Sequence, residues 1–130
     1  MPHFHAVIWL DHREAKVFRF NAENAEKTAL HAHDQHHHLH HGKGHLMGRR
    51  SAPDQEFLDS ILSAAKDAHE ILVVGPGSAK MELIKHAHQK EPALAERLVG
   101  VETIDHPTDN QILAHARTYF ERRDHLMPQR

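Results

Sequence analysis

The strongest constraint on the fold comes from residues 4–10, FHAVIWL. Successive side chains of a strand point to opposite faces of its sheet. The even-numbered positions are all apolar here, and Val7 and Trp9 make the odd-numbered set largely apolar as well. A strand of this kind is predicted to be central and covered on both faces. We interpret His5 and Trp9 as packing residues of this strand.

A hairpin and an edge strand are predicted to follow. Asp11-His12-Arg13 is typical of a tight turn, and residues 14–20, EAKVFRF, then form a second strand that runs back along the first. Residues 26–33 are more polar, so we expect them to form a third strand at the edge of the sheet.

The rest of the chain alternates helices with strands. A helix is predicted from near Pro53, with Ser51 as its N-cap. Residues 70–74, EILVV, form a short buried strand. The sequence GPGSAK, residues 75–80, then turns this strand into a second helix.

Residues 99–104 are the last predicted strand, and Thr108 and Gln111 begin the final helix with the spacing of a capping box. The order is β-β-β-loop-α-β-α-(α)-β-α, which predicts an α/β fold. Three antiparallel strands and two βα units form a mixed five-stranded sheet with helices on both faces. This order matches the ribonuclease H-like fold. A length of 130 residues suits one domain over residues 1–130.

Composition excludes several classes of function. The chain has no cysteine, which removes disulfides, thiolate metal sites and cysteine nucleophiles. No apolar run approaches the roughly 18 residues that a membrane span needs, and no secretory signal is evident. We therefore expect a cytoplasmic protein with no membrane partner. A formal charge of −2 does not predict DNA binding, and the sequence leaves the oligomeric state undetermined.

Residues 34–52, which we call the His-rich segment, break the pattern of strands and helices. Their glycines disfavour a helix, so we predict a long loop between the third strand and the first helix. Between Asp34 and Asp54 there is no acidic residue. The basic residues and histidines of this segment make it the clearly cationic part of a nearly neutral chain.

Three interpretations of this region remain open. One is RNA binding through cationic and stacking side chains. Another is a divalent-metal site, for which zinc or nickel would be the expected ion. The third is a solvated loop with neither role. The candidate RNA-binding residues are Lys43, His45, Arg49, Arg50 and Lys80. The candidate metal ligands are His31, His33, His36, His38 and His40.

Two further sets of residues are candidates for anion binding or catalysis. The GPGSAK turn lacks the glycine spacing of a P-loop and is interpreted mainly as a tight strand-to-helix turn, from which Lys80 can face a phosphate. Nuclease chemistry needs carboxylates that converge on metal ions. Asp11, Asp59, Asp105 and Asp109 do not form an evident cluster in the sequence.

Three stretches resemble a known family: LDHREAKVFRF, ILVVGPGSAKMELIKH and VETIDHPTDNQILAHARTYF. Together they are similar to the middle domain of archaeal and eukaryotic peptide-chain release factors and of Pelota. They resemble most closely the small bacterial relatives described as translational machinery proteins. The resemblance covers nearly the whole chain.

The resemblance implies a translation-related role for the His-rich segment. In release factors, the loop between the third strand and the first helix carries a Gly-Gly-Gln motif that helps water attack peptidyl-tRNA on the ribosome. The matching segment here has Gly42-Lys43-Gly44-His45 and no Gly-Gly-Gln.

We therefore predict a non-catalytic, translation-associated protein that requires no cofactor. Its expected partners are the ribosome and its rRNA or tRNA, in a rescue or hibernation type of role. The alternatives are a divalent-metal-binding protein and a residual peptidyl-tRNA hydrolase.

Overall fold

A computed structural model describes residues 5–32 and 54–126 of the chain. These residues form five strands and four helices, which follow one another in the order expected. None of these helices is both long and apolar enough to cross a membrane. The elements are β1 (His5–Leu10), β2 (Glu14–Phe20), β3 (Ala25–His31), α1 (Gln55–Ala65), β4 (Glu70–Gly75), α2 (Ala79–Lys90), α3 (Pro92–Ala95), β5 (Leu98–Thr103) and α4 (Asp109–Leu126).

The strands form one open sheet in the order β3-β2-β1-β4-β5. β2 runs antiparallel to β1 and to β3, whereas β4 is parallel to β1 and to β5. The predicted fold class, a mixed five-stranded sheet, is confirmed, and so are the central place of β1 and the edge place of β3. The carboxyl ends of β1, β4 and β5 lie together along one border of the sheet, which we call the carboxyl edge. Their amino ends lie along the opposite border, which we call the amino edge. Both borders run across the strands and are distinct from the edge strand β3.

A separate apolar core covers each face of the sheet. On one face, Ile8 and Leu10 of β1 pack with the buried residues of α1, α2 and α3. On the other, Val7 and Trp9 pack with buried residues of α4, and the Trp9 ring also lies 5.2 Å from the His106 ring. Alternate side chains of β1 thus contribute to the two cores, as its sequence predicts. Each large side chain buried in this way contributes about 1.5–3 kcal/mol to stability.

The helix starts were predicted with mixed success. The capping box of α4 is confirmed, because Gln111 N–H donates to Thr108 Oγ1 at 3.1 Å and Thr108 N–H donates to Gln111 Oε1 at 2.9 Å. The predicted N-cap of α1 was wrong. Asp54, not Ser51, caps this helix, and its Oδ1 accepts from Phe57 N–H at 3.0 Å. The apolar face of α1 begins at Phe57, and Asp54 is three residues before it.

Gly75 joins β4 to the turn before α2 at a point where a side chain does not fit. Its φ is +157°, and a Cβ atom built on it would lie 2.2 Å from the carbonyl oxygen of Leu10. The close approach of these two strand ends requires glycine. Gly77, two residues later, has no heavy atom within 4 Å of the equivalent position.

Candidate functional site

The described chain that precedes the His-rich segment ends at the carboxyl edge. β3 runs parallel to β1, because both pair antiparallel with β2, and its last residue, His31, pairs with Glu14 at the start of β2. Just beyond His31, Ala32 N–H donates to the carbonyl oxygen of Arg13 in the β1–β2 turn, at 2.9 Å. The chain is therefore held to this edge up to the point where the segment begins.

The chain returns from the segment at the same edge. α1 ends at Ala65, and only four residues separate it from Glu70, which pairs with His5 at the amino edge. An 11-residue helix spans about 16 Å, close to the length of the strands beneath it. α1 therefore begins, at Asp54, near the carboxyl edge.

The GPGSAK turn lies at this edge as well, since it follows the end of β4. Lys80 is only 7% exposed. Its Nζ donates to the carbonyl oxygen of Gly77 at 2.6 Å. The ammonium group therefore hydrogen-bonds a backbone carbonyl group of the turn that precedes its own helix. A contact between Lys80 and RNA stays a prediction.

His31 is the only predicted metal ligand among the described residues. Its side chain is 71% exposed, and Nε2 lies 3.8 Å from Glu14 Oε1. The remaining predicted residues lie outside the described residues. They are Lys43, His45, Arg49 and Arg50 for RNA, and His33, His36, His38 and His40 for metal.

His106 lies between two carboxylates at the point where β1 and β5 end. His106 Nδ1 lies 2.9 Å from Asp105 Oδ1, and Nε2 lies 3.6 Å from Asp11 Oδ2. The hydrogen bond to Asp105 raises the pKa of His106 above its usual 6.5, and Asp11 adds to this effect. Trp9 fixes the backbone here, because its indole N–H donates to the carbonyl oxygen of Asp105 at 2.9 Å.

A further histidine at this edge also lies next to a carboxylate. His12 lies in the β1–β2 turn, and its Nε2 is 3.3 Å from both carboxylate oxygens of Glu82 on α2. The described histidines at the carboxyl edge are thus all next to carboxylates. Arg13, which is exposed in the β1–β2 turn, is a further positive charge at this edge.

The four carboxylates considered for nuclease chemistry have different partners. Asp11 Oδ1 accepts from Arg13 and Glu14 N–H, Asp59 pairs with the buried His86 at 2.6 Å, and Asp109 pairs with two lysines. Only Asp11 and Asp105 approach each other, and His106 stands between them. The described residues therefore offer no converging set of carboxylates at this edge.

The sequence interpretation missed a second polar cluster, at the amino edge. His5, Glu70 and Asp124 can bring one ligand atom each within 4.8 Å of one another. Trp9 is a packing residue, as predicted. His5 does pack against Phe120, with ring centroids 4.3 Å apart, but it also faces this cluster.

The same fold occurs in solved structures of translation factors. Pelota from Archaeoglobus fulgidus matches with a TM-score of 0.59 and 13% identity, over 88% of this chain and 31% of its own. Thermoplasma acidophilum Pelota matches with 0.60 and 17%, over 89% and 32%. An archaeal translation termination factor, aRF1, matches with 0.52 and 13%, over 92% and 39%.

These comparisons define the fold. No family model matches the chain, and no curated protein does either. The chain spans about a third of the length of the solved structures that it resembles. At this level of identity the likeness shows that the chain has the fold of a domain found in Pelota and release factors.

Proposed function

We propose that this chain is a non-catalytic, translation-associated protein that binds ribosomal RNA or tRNA through the His-rich segment. The observation that carries the proposal is the anchoring of this segment. Both of its flanks, His31 and Asp54, lie at the carboxyl edge of the sheet. In open α/β sheets this edge is the usual place for ligand binding.

The distribution of positive charge along the chain also favours RNA binding at this edge. Lys43, Arg49 and Arg50 lie in a stretch with no acidic residue between Asp34 and Asp54. The nearby described histidines lie next to carboxylates, and the basic residues of the segment add to the positive charge of the exposed Arg13. Phosphate binding depends on such charges and on the release of counterions.

The solved structures with this fold support a role in translation. Besides Pelota and aRF1, they include yeast Dom34, which is described as a translation termination-like factor involved in RNA quality control. A rescue or hibernation role, and a cytoplasmic location, are consistent with these neighbours. The absence of Gly-Gly-Gln from the segment favours binding without hydrolysis.

Co-sedimentation with ribosomes at low salt tests the proposal. We expect the wild-type protein to pellet with ribosomes and a Lys43→Ala, Arg49→Ala, Arg50→Ala variant to stay mainly in the supernatant. The matched control removes three positive charges elsewhere, at the exposed Lys66, Lys85 and Lys90, and should pellet like the wild type. A wild-type protein that stays in the supernatant would refute the proposal.

The histidines add a pH dependence to this binding. Imidazoles gain positive charge as pH falls from about 7.5 to about 6. The affinity for RNA should rise over this range and become flat when the histidines from His36 to His45 are replaced by glutamine. Flat binding by the wild type would exclude the histidines from the mechanism.

Metal binding by the same region is the second candidate, favoured by the exposure of His31 at the end of β3. Calorimetric titration of untagged protein with Zn²⁺ and Ni²⁺ tests it. A stoichiometric site that is lost when residues 36–41 are deleted would support it. Peptidyl-tRNA hydrolysis is tested by peptide release from loaded ribosomes, for which we expect no release above background.

A further inference from the structure

Three apolar stripes end in polar residues at one point of the amino edge. In β1, His5 precedes Val7 and Trp9 on the face that packs against α4. In β4, Glu70 occupies the same position before Leu72 and Val74. In α4, the four-residue spacing of its buried stripe continues to Asp124. The stripe consists of Ile112, Ala116 and Phe120.

The register of the sheet brings these polar groups together. His5 and Glu70 are direct partners on the parallel strands β1 and β4, and His5 Nε2 lies 3.3 Å from Glu70 Oε1. Residues on the same face of a helix recur every three to four positions, which places Asp124 above this pair, one turn beyond Phe120. The ligand atoms of all three residues lie within 4.8 Å of one another.

We propose that His5, Glu70 and Asp124 bind a divalent transition-metal ion. The set offers one imidazole nitrogen and two carboxylate oxygens, which suits zinc, manganese or iron. Ligands bound about 2.0 Å from a tetrahedral ion lie roughly 3.3 Å apart, which is the distance found between His5 and Glu70. Asp124, which is exposed, offers a carboxylate oxygen within 4.8 Å of both of these ligand atoms.

Neighbouring residues hold two of the three ligands in place. The His5 ring packs between Phe20 and Phe120, at centroid distances of 5.8 and 4.3 Å. Arg123 Nε lies 3.7 Å from Glu70 Oε2, which leaves Oε1 directed at His5. Such outer contacts fix the orientation of metal ligands. The positive charge of Arg123 also opposes a cation, so we expect moderate affinity.

A cleft gives the ion an open side. A cavity of about 380 Å³ adjoins the cluster, and His5 and Asp124 both line it, together with Arg117. Three protein ligands leave at least one coordination position free. This position faces the cleft, where water or a small anion can complete the coordination. The site is remote from the described flanks of the His-rich segment, which lie at the opposite edge, and it does not depend on the function proposed above.

The experiment must separate this site from the histidines of the segment. We therefore use the full chain with the eight histidines from His31 to His45 replaced by glutamine. Mn²⁺ added below one equivalent is expected to broaden the backbone amide NMR signals at the starts of β1 and β4 and in the last turns of α4. Zn²⁺ titration should show one equivalent bound.

Substitutions then assign the ligands. Asp124→Asn and Glu70→Gln keep the size of each side chain and should lower the affinity by at least about tenfold. Glu121→Gln is the matched control, because Glu121 lines the same cleft without belonging to the cluster, and it should bind as before. Signals at the starts of β1 and β4 that are not broadened in the chain without these eight histidines, or binding unchanged in Asp124→Asn, would overturn the proposal.

Discussion

The two edges of the sheet are built differently. At the carboxyl edge, tight turns and caps join the elements. Examples are the Asp11 turn, the capping box at Thr108 and the contact of Gly75 with Leu10. At the amino edge, polar side chains from distant parts of the sequence meet beside a cleft. One edge thus carries close backbone contacts and both described flanks of the His-rich segment, whereas the other carries a cluster of polar side chains next to a cleft.

The polar side chains that mark the two edges contact different kinds of group. At the carboxyl edge, Asp11, Lys80 and Thr108 each hydrogen-bond a backbone N–H or carbonyl group within three residues of themselves, so replacing them exposes unsatisfied backbone. At the amino edge, His5, Glu70 and Asp124 contact mainly side chains. We expect substitutions at the two edges to have unequal costs.

The largest loss is expected at Gly75. Gly75→Ala should lower the free energy of unfolding by about 2–4 kcal/mol, because the added Cβ meets the Leu10 carbonyl oxygen and the φ disfavours a side chain. Gly77→Ala, in open space, should change it by less than about 1 kcal/mol. Urea denaturation measures both. Equal effects would mean that the strand contact does not matter for stability.

A smaller loss is expected at Thr108. Thr108→Ala removes the side-chain acceptor for Gln111 N–H and should cost about 1 kcal/mol. Thr118→Ala, at an exposed position within the same helix, should be neutral or slightly stabilising. If both variants unfold like the wild type, the capping box does not stabilise α4.

Asp109 gives a still smaller, pH-dependent effect. Hydrogen bonds from Lys27 and then Lys16 hold the pKa of Asp109 below its usual 3.8. A lowered folded-state pKa gives stability that is present above pH 3.8 and is lost as pH falls through the folded-state value. The side chain is 40% exposed, so solvent screening limits the gain to below about 1 kcal/mol.

Asp109→Asn should therefore be less stable than the wild type at pH 7, and the difference should disappear in strong acid. Thermal unfolding across pH measures this. Asp67→Asn, which removes the same charge at an exposed site, is the control. A difference between wild type and Asp109→Asn that grows as pH falls would contradict the pairing with Lys27 and Lys16.

The smallest effect is expected at the amino edge. Without added metal, Asp124→Asn should change the free energy of unfolding by less than about 0.5 kcal/mol, because an exposed carboxylate contributes little to stability. A loss above 1 kcal/mol would show that this cluster has a structural role, and the contrast between the edges would fail.

Much of the fold was predictable because it depends on local patterns. The two apolar faces of β1, the polar β3 and the Thr108–Gln111 spacing each predicted what the structure shows. The N-cap of α1 was misplaced because Ser51 and Asp54 are both good N-cap residues. The choice between them depends on where the apolar face begins, at Phe57.

The amino-edge cluster could not be found from spacing along the chain. His5, Glu70 and Asp124 are far apart in sequence and meet only through strand register and helix packing. One signal was present. Each residue continues an apolar stripe at the correct period, with a polar group in the place of an apolar one. Likewise, the burial of Lys80 and its bond to Gly77 depend on the turn geometry, which the motif GPGSAK does not specify.

We propose that the His-rich segment binds RNA through its cationic side chains. The most direct test is the salt dependence of the affinity for ribosomal RNA or tRNA, measured for the wild type and for Lys43→Ala, Arg49→Ala, Arg50→Ala. Each lost phosphate contact lowers the slope of log K against log salt by about 0.7–0.9. We predict a slope smaller by about 2 to 3 in the triple variant. An unchanged slope and affinity would contradict the account.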